Sequence, residues 1–460
     1  MNFNEMPVSV SYSPRQMSLG SSNASICDAE GNLLFYTNGC YIANADNELM
    51  ENGDGLNPGE VHDFQCMQNY TAGAQSCLIL PEPYNPNRYY LFHKKIRYEY
   101  TPELIVISDN LLLTIIDMTL NSGAGAVIEK NQPLTQEPTV FGQLTSVKHA
   151  NGVDWWIIIP KAESNVYIQF LLTSNGIEGP FYQSIGSQCS FIGSGGGQAV
   201  FSPNGSKYIR YSSPDGLYIF DFNRTTGILS NFIHVPFDTT FAEGLAVSPN
   251  SKYLYVSTDT IIYQLDLLSN NIQSSKTIIG TYDNFLSPLP TTFFLSRLAP
   301  DCKIYINTFA TVDVLHVIHN PDEPGLACNL EQHAIQLPFN HRRSMPNFPN
   351  YRLGPLVPGE TPAPPCELVV HTEEPPAEAE AQFLVYPNPA SEHLTFAPAA
   401  PAVGSWQLFH ADGRPALQQR LDGRSHEYRV AIGHLPPGMY FYRLLVDGQP
   451  GLGGKVSIIR

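Results

Sequence analysis

Charge is scarce in this 460-residue chain: Asp, Glu, Lys and Arg make up 15%, where an average soluble domain has about 25%. What charge there is leans acidic, with 25 Lys and Arg against 42 Asp and Glu and a formal net charge of −17. That excludes nucleic acid as a partner, because phosphate binding needs clustered cations. No run of about 18 apolar residues occurs, so no membrane-spanning helix is expected. The eight cysteines (Cys27, Cys40, Cys66, Cys77, Cys189, Cys302, Cys328 and Cys366) form no CxxC pair. Zinc knuckles and thioredoxin-type motifs are thereby removed. Disulfides and buried thiols remain equally open readings of them. GxSxG, Walker, HExxH and dinucleotide fingerprints are all missing. The glycine-rich GSGGGQ at 193–198 leads into a strand, not a helix N-terminus, and so is no phosphate cradle. No stretch of 10–15 residues keeps a helical period. The opening MNFNEMPVSVSYSPRQ has neither the basic nor the apolar region of a signal peptide.

What the chain has is aromatic residues and turn formers. Hydrophobic residues reach 43%, with 24 Tyr, 24 Phe, 35 Gly and 38 Pro. Aromatics favour pleated, half-buried surfaces, and Gly and Pro punctuate turns, so the expectation is an all-β protein. A repeat sharpens it. SPNGSKYIRYSSPDGLYIFDF from Ser202, SPNSKYLYVSTDTIIYQLDL from Ser248 and APDCKIYINTFATVDVLHVI from Ala299 share a Pro turn and two following strands, at spacings of 46 and 51 residues. A short apolar strand (GQAVF, GLAVS, TFFLS) precedes each turn. Weaker copies begin at Asn23, Ala74 and Phe141. A strand–turn–strand unit repeating every 40–50 residues is the pattern of a propeller blade, which buries its faces only by stacking on neighbours. Six or seven blades are expected over 1–354.

Composition changes near residue 355. The run PLVPGETPAPPCELVVHTEEPPAEAE is rich in Pro and Glu and reads as an extended linker, 355–381. Residues 382–460 then carry 7 basic and 5 acidic residues, a net of +2, against −19 for the rest. Opposite charge balance suggests an independent second domain. Alternation in SWQLF, MYFYRLLV and KVSIIR indicates strands of a small immunoglobulin-like β-sandwich.

Four ordered elements of this tail resemble the type A sorting domain of type IX secretion cargo from Bacteroidetes. They are FLVYPNPASEHLTF with Tyr386, Pro387, Asn388 and Pro389; the hairpin LFHADGRPALQQ; LPPGMYFYRLLVDG with Gly438 and Tyr440; and GGKVSIIR with Lys455. Singly, each residue reads as a strand entrance, a turn or a core position. The resemblance implies entry into the periplasm by a cleaved signal peptide, recognition of the tail by the outer-membrane translocon, and its removal by a sortase-like peptidase. The product is then secreted or held at the outer cell surface. Residues 1–366 resemble a group of propellers fused to this domain in the same bacteria, on ASICDAEGNLLFYTNG, MENGDGLNPGEVHD, HANGVDWWIIIP, FSPNGSKYIRY and MPNFPNYRLGPL. Members usually begin with a signal peptide before the NFN-like stretch, so Met1 is read as an internal methionine of a longer gene.

No catalytic set assembles in the sequence. The inner strands should begin at Asn23, Gln75, Gln143, Gln198 and Glu243, and their polar groups are expected to face water in a central channel. Only Glu243 carries charge. HANGVDWWIII brings His149 and Asp154 beside Trp155 and Trp156, which read as a hairpin with space-filling aromatics or, alternatively, as a sugar-stacking surface. His149, Asp154, Trp155 and Glu243 are the candidate ligand-binding residues. Glu51, Asn52, Asp54, Glu60, His62 and Asp63 could hold Ca²⁺ but miss EF-hand spacing, and a solvated acidic loop is the preferred reading. No other cofactor is expected. His93, beside Lys94 and Lys95, reads as a strand-edge feature. The functional expectation is an exported binding or adhesion module for an unknown extracellular ligand. The alternative is an extracellular propeller hydrolase or lyase with active groups on dispersed loops.

Overall fold

A computed structural model describes all residues except 6, 67–72, 102, 190–195, 214, 238–243, 358, 360–365, 367–382, 399–402, 411–413, 426 and 447–448. The chain forms two compact units, Met1–Leu368 and Val369–Arg460. Most of the expected linker, and Glu243, lie outside the described residues.

Among the described residues, the first unit contains six antiparallel sheets, each a meander in sequence order. Blade 1 has three strands, Ala24–Cys27, Leu33–Thr37 and Ile42–Asn44. The other five have four each. Blade 2 runs from Cys77–Glu82 to Ala126–Thr135, and blade 3 from Thr145–Lys148 to Gly176–Ser184. Blade 4 runs from Ala199–Phe201 to Leu229–Val235, and blade 5 from Gly244–Val247 to Thr277–Thr281. Blade 6 runs from Phe293–Leu298 to Leu330–Arg342. The three turns at Ser202, Ser248 and Ala299 each join an innermost strand to its neighbour.

Why these sheets form a ring follows from their side chains. Successive residues of a strand point to opposite faces. In blade 4, Tyr208, Tyr218 and Phe220 pack with Trp156 and Ile158 of blade 3, whereas Ile209, Leu217 and Ile219 pack with Leu245, Leu254 and Val256 of blade 5. Both faces of the strand are therefore apolar, and both are buried. The same sharing joins blades 1 and 2, 2 and 3, and 5 and 6. The seam between blades 6 and 1 has another origin. Phe3 packs on Tyr305, Leu315 and Val317 of blade 6, and Met17 on Tyr36 and Ala43 of blade 1. The N-terminal segment thus covers the two faces that no further blade would cover. The architecture is a six-bladed propeller.

The second unit is a two-sheet sandwich. Phe383–Tyr386, His393–Pro398 and Tyr428–Ala431 form one sheet; Pro415–Asp422, Val403–His410, Gly438–Val446 and Gln449–Ile458 form the other. Their facing sides bury Leu394, Phe396, Trp406, Leu408, Tyr440 and Val456. One short α-helix, Glu60–Gln65, precedes Cys66, which is disulfide-bonded to Cys40. The remaining six cysteines are free thiols, so both readings of the cysteines apply to this chain.

Candidate functional site

The propeller axis is not a water-filled channel. Gln75, Gln143 and Gln198 do begin innermost strands, but all three are at most 3% exposed. Gln75 Nε2 donates to Ala199 O at 2.8 Å, and the Ala199 amide returns a bond to Gln75 Oε1 at 2.6 Å, linking blades 2 and 4. Gln143 Nε2 donates to Tyr211 O at 2.8 Å, joining blade 3 to blade 4. Gln198 Oε1 accepts from the amides of Leu245 (2.9 Å) and Ser296 (2.8 Å), joining blade 4 to blades 5 and 6. The expectation that these amides face water is corrected: they are dry struts. A buried amide must satisfy its polar atoms within the protein, and here backbone groups of other blades do so.

The chain itself fills the axis. After blade 6, Asn347 donates from its backbone amide to Asn23 O at 3.0 Å and from Nδ2 to Cys77 O and Leu144 O, both at 2.9 Å. Its Oδ1 accepts from Gln75 Nε2 (3.1 Å) and Arg297 Nη2 (3.3 Å). One side chain thus touches the innermost elements of blades 2, 3 and 6 while its backbone holds blade 1. Farther along, Tyr351 donates to Ile79 O at 2.7 Å and packs edge-on against Trp155, and Asn350 donates to Pro203 O at 3.0 Å. Arg224 of blade 4 then clamps Lys148 O, His149 O and Gly354 O. The segment from Ser344 to Gly354 is an axial strap.

His93 and Lys94 are not edge residues either; both are fully buried. His93 bonds Asn57 Oδ1 (2.7 Å) and Thr114 Oγ1 (2.9 Å), and burial pushes its pKa down to about 3. Lys94 Nζ donates to Val140 O and Gly142 O, both at 2.6 Å, and burial, aided by Arg210, lowers its pKa to about 7. A polar pair on a strand suggests an edge, whereas here loop carbonyls accept from Lys94, Asn57 Oδ1 accepts from His93, and the Thr114 hydroxyl donates to it, all inside.

Three of the four candidate ligand residues share one hairpin. Asn151 Nδ2 donates to Asp154 Oδ2 at 2.6 Å, and His149 Nδ1 accepts the Asn151 amide at 3.1 Å. Trp155 is 1% exposed and enters the core between blades 2 and 3; Trp156 enters the one between blades 3 and 4 and donates to Arg224 O at 2.8 Å. Neither ring offers a face to a sugar. In the acidic loop, Asp54 pairs with Lys130 at 3.2 Å and Asn52 donates to Val127 O at 2.9 Å. Among the described residues no three His, Cys, Asp or Glu side chains converge on a point. Elsewhere on the propeller lies a cleft of about 570 Å³ lined by Pro249, Cys302, His319, Asn320, Asp322 and Glu323.

In the sandwich, the separated motif elements meet. Asn388 Oδ1 accepts the Ser457 amide at 2.9 Å, and its Nδ2 donates to Lys455 O at 3.2 Å. Ala390 exchanges backbone bonds with Ser457 and Ile459, each 2.8 Å long. The YPNP segment is thereby tied to the final strand. Gly438 and Tyr440 pair with Ile458 and Val456 of that strand. Tyr440 is buried and donates to Pro436 O at 2.9 Å. Tyr386 and Lys455 stay at the surface, Tyr386 donating to Glu427 Oε1 at 2.9 Å. Residues 384–452 match the family of secretion system C-terminal sorting domains. The tail is a type IX secretion sorting domain.

Beside the sorting domain's YPNP segment lies a second cleft of about 600 Å³, lined by Glu392, His393, His434, Ile459 and Arg460. Among solved structures, the chain is similar to PorZ of Porphyromonas gingivalis, described as an essential bacterial surface component of the type IX secretion system. The identity is 11% and the TM-score 0.32, over 81% of this chain and 58% of that one. The chain thus spans less than two thirds of PorZ. It is also similar to a putative 6-phosphogluconolactonase from Bacteroides uniformis, at 11% identity and a TM-score of 0.41, over 94% and 98% of the two chains. These likenesses concern the fold, and no activity follows from them. A search of curated proteins found no match. The sorting domain marks the chain for secretion or the cell surface. Among the described residues, no helix is long and apolar enough to cross a membrane.

Proposed function

We propose that the propeller is a binding module that reaches the outer cell surface through the periplasm and engages an extracellular partner with its loops, not its axis. The observation that carries the route is the closure of YPNP onto the last strand by Asn388, which gathers the separated motif elements into one surface. A folded β-module with its terminal strand locked in place offers a translocon a defined shape that an extended peptide would not. In this reading a sortase-like peptidase cuts ahead of the sorting domain after transit. Filling of the axis by the strap supports recognition on the outer loops, since the usual central pocket of a propeller is taken by the chain's own Asn347 and Tyr351.

The test of the route is deletion of residues 383–460 from a gene supplied with a native signal peptide. The propeller should accumulate in the periplasm and disappear from the surface; unchanged surface amounts would defeat the proposal. Glycan-array and pull-down screening of residues 1–368 then identifies the partner class.

A further inference from the structure

We propose that Cys302 and Cys366 are a disulfide site that fastens the chain beyond the axial strap to blade 6. Cys302 sits in the turn after the innermost strand of blade 6, held by its amide bond to Ala299 O at 3.1 Å. Its thiol donates to Cys366 O at 2.9 Å. Cys366 is itself buried, although it stands 64 positions away in sequence. Two cysteines held side by side by that bond over such a separation, in a chain that already carries one disulfide, can be joined once an oxidant is supplied.

Access is built in. Cys302 lines the 570 Å³ cleft, so an incoming disulfide can reach it, whereas Cys366 is buried. Burial, together with Asp301 and Asp322, raises both thiols above their ordinary pKa, which keeps them protonated and slow to react unaided. The oxidant is therefore a disulfide-donating thiol oxidoreductase or, in vitro, oxidised glutathione. Cys302 loses its proton and attacks the donor disulfide, forming a mixed disulfide and releasing one donor thiolate. Cys366, deprotonated in turn, attacks the Cys302 sulfur and expels the second donor thiolate. Two protons and two electrons leave the cysteine pair, and the donor disulfide becomes a dithiol. The closed loop then contains the strap, so residues 344–354 would be held at both ends by blade 6.

The test uses the full chain in a glutathione buffer poised until Cys40–Cys66 is fully oxidised, so that its outcome does not depend on export. The protein is acid-quenched, denatured, alkylated without reduction, and cleaved after Lys, Arg and Glu. The expected product is LAPDCK (298–303) joined to TPAPPCE (361–367), two hydrogens lighter than the separate peptides, replacing both alkylated forms. In Cys366→Ser, Cys302 should be recovered alkylated while Cys40–Cys66 persists. A cut after Glu360 should leave the sorting domain attached on a non-reducing gel and release it on reduction. Recovery of Cys302 and Cys366 both alkylated beside an intact Cys40–Cys66 would overturn the proposal, as would a bond from either to a different cysteine.

Discussion

The two units solve the same burial problem with different chemistry. The sandwich core is built of aliphatic and aromatic side chains, centred on Trp406 between Phe396 and Tyr442. The propeller has such cores between its blades, but its axis is polar: Gln75, Gln143, Gln198 and Asn347 reach backbone groups of the blades, and Arg297 reaches Phe348 O of the strap. A sandwich of two sheets needs only area, because burial is non-directional. A ring must also fix the angle and height of each blade. Hydrogen bonds do that because they fail when misaligned. The larger unit therefore depends on a few directional contacts at its centre, where the smaller one has an apolar core.

Removing the centre of the sandwich should separate the two units most clearly. Trp406→Ala should cost about 4 kcal/mol and abolish the sorting domain's melting transition while leaving the propeller's in place. A single merged transition that moves as a whole would break the comparison. The next largest effect is acid sensitivity of the propeller. Folded His93 stays neutral down to about 3, against an ordinary value of 6.5. Between those values the unfolded chain binds the extra proton, so stability falls as pH drops through that window. At pH 4 the loss from His93 is about 3 kcal/mol relative to neutral pH. His316, lowered to about 4 by burial and the nearby His333, adds in the same direction. Denaturant titrations from pH 7 to 4 should show the slope, and His93→Gln should remove about half of it, leaving the His316 share. Smallest is Asn347→Ala, which leaves Cys77 O, Leu144 O, Gln75 and Arg297 each short of a partner. We expect about 2 kcal/mol off the propeller transition and no change in the sandwich. An unaltered propeller midpoint would mean that the hub is held by the blades alone.

The blades were legible because a turn and two strands recur at Ser202, Ser248 and Ala299, and because local spacing is all that a meander requires. The tail was legible for a similar reason, its elements being short and ordered. The strap was not. MPNFPNYRLGPL has no period, and the partners of Asn347 at Cys77 and Leu144 lie 270 and 203 positions away. The glutamines were found at the right places and given the wrong surroundings, since a sequence does not show what fills the space before them. His93 and Lys94 failed likewise: their partners come from Asn57, Thr114, Val140 and Gly142, on other elements.

The strap also sets an order of events. A chain delivered N-terminus first can stack blades 1 to 6 as they arrive. Asn347, though, is the residue that five earlier pieces of the ring must wait for, and it arrives after all of them. The propeller behaves in this respect like a masonry arch, standing on temporary support until its keystone is dropped in from the end of the line. Any stall before residue 347 would leave six blades around an open hub, with paired glutamines and Arg297 facing solvent.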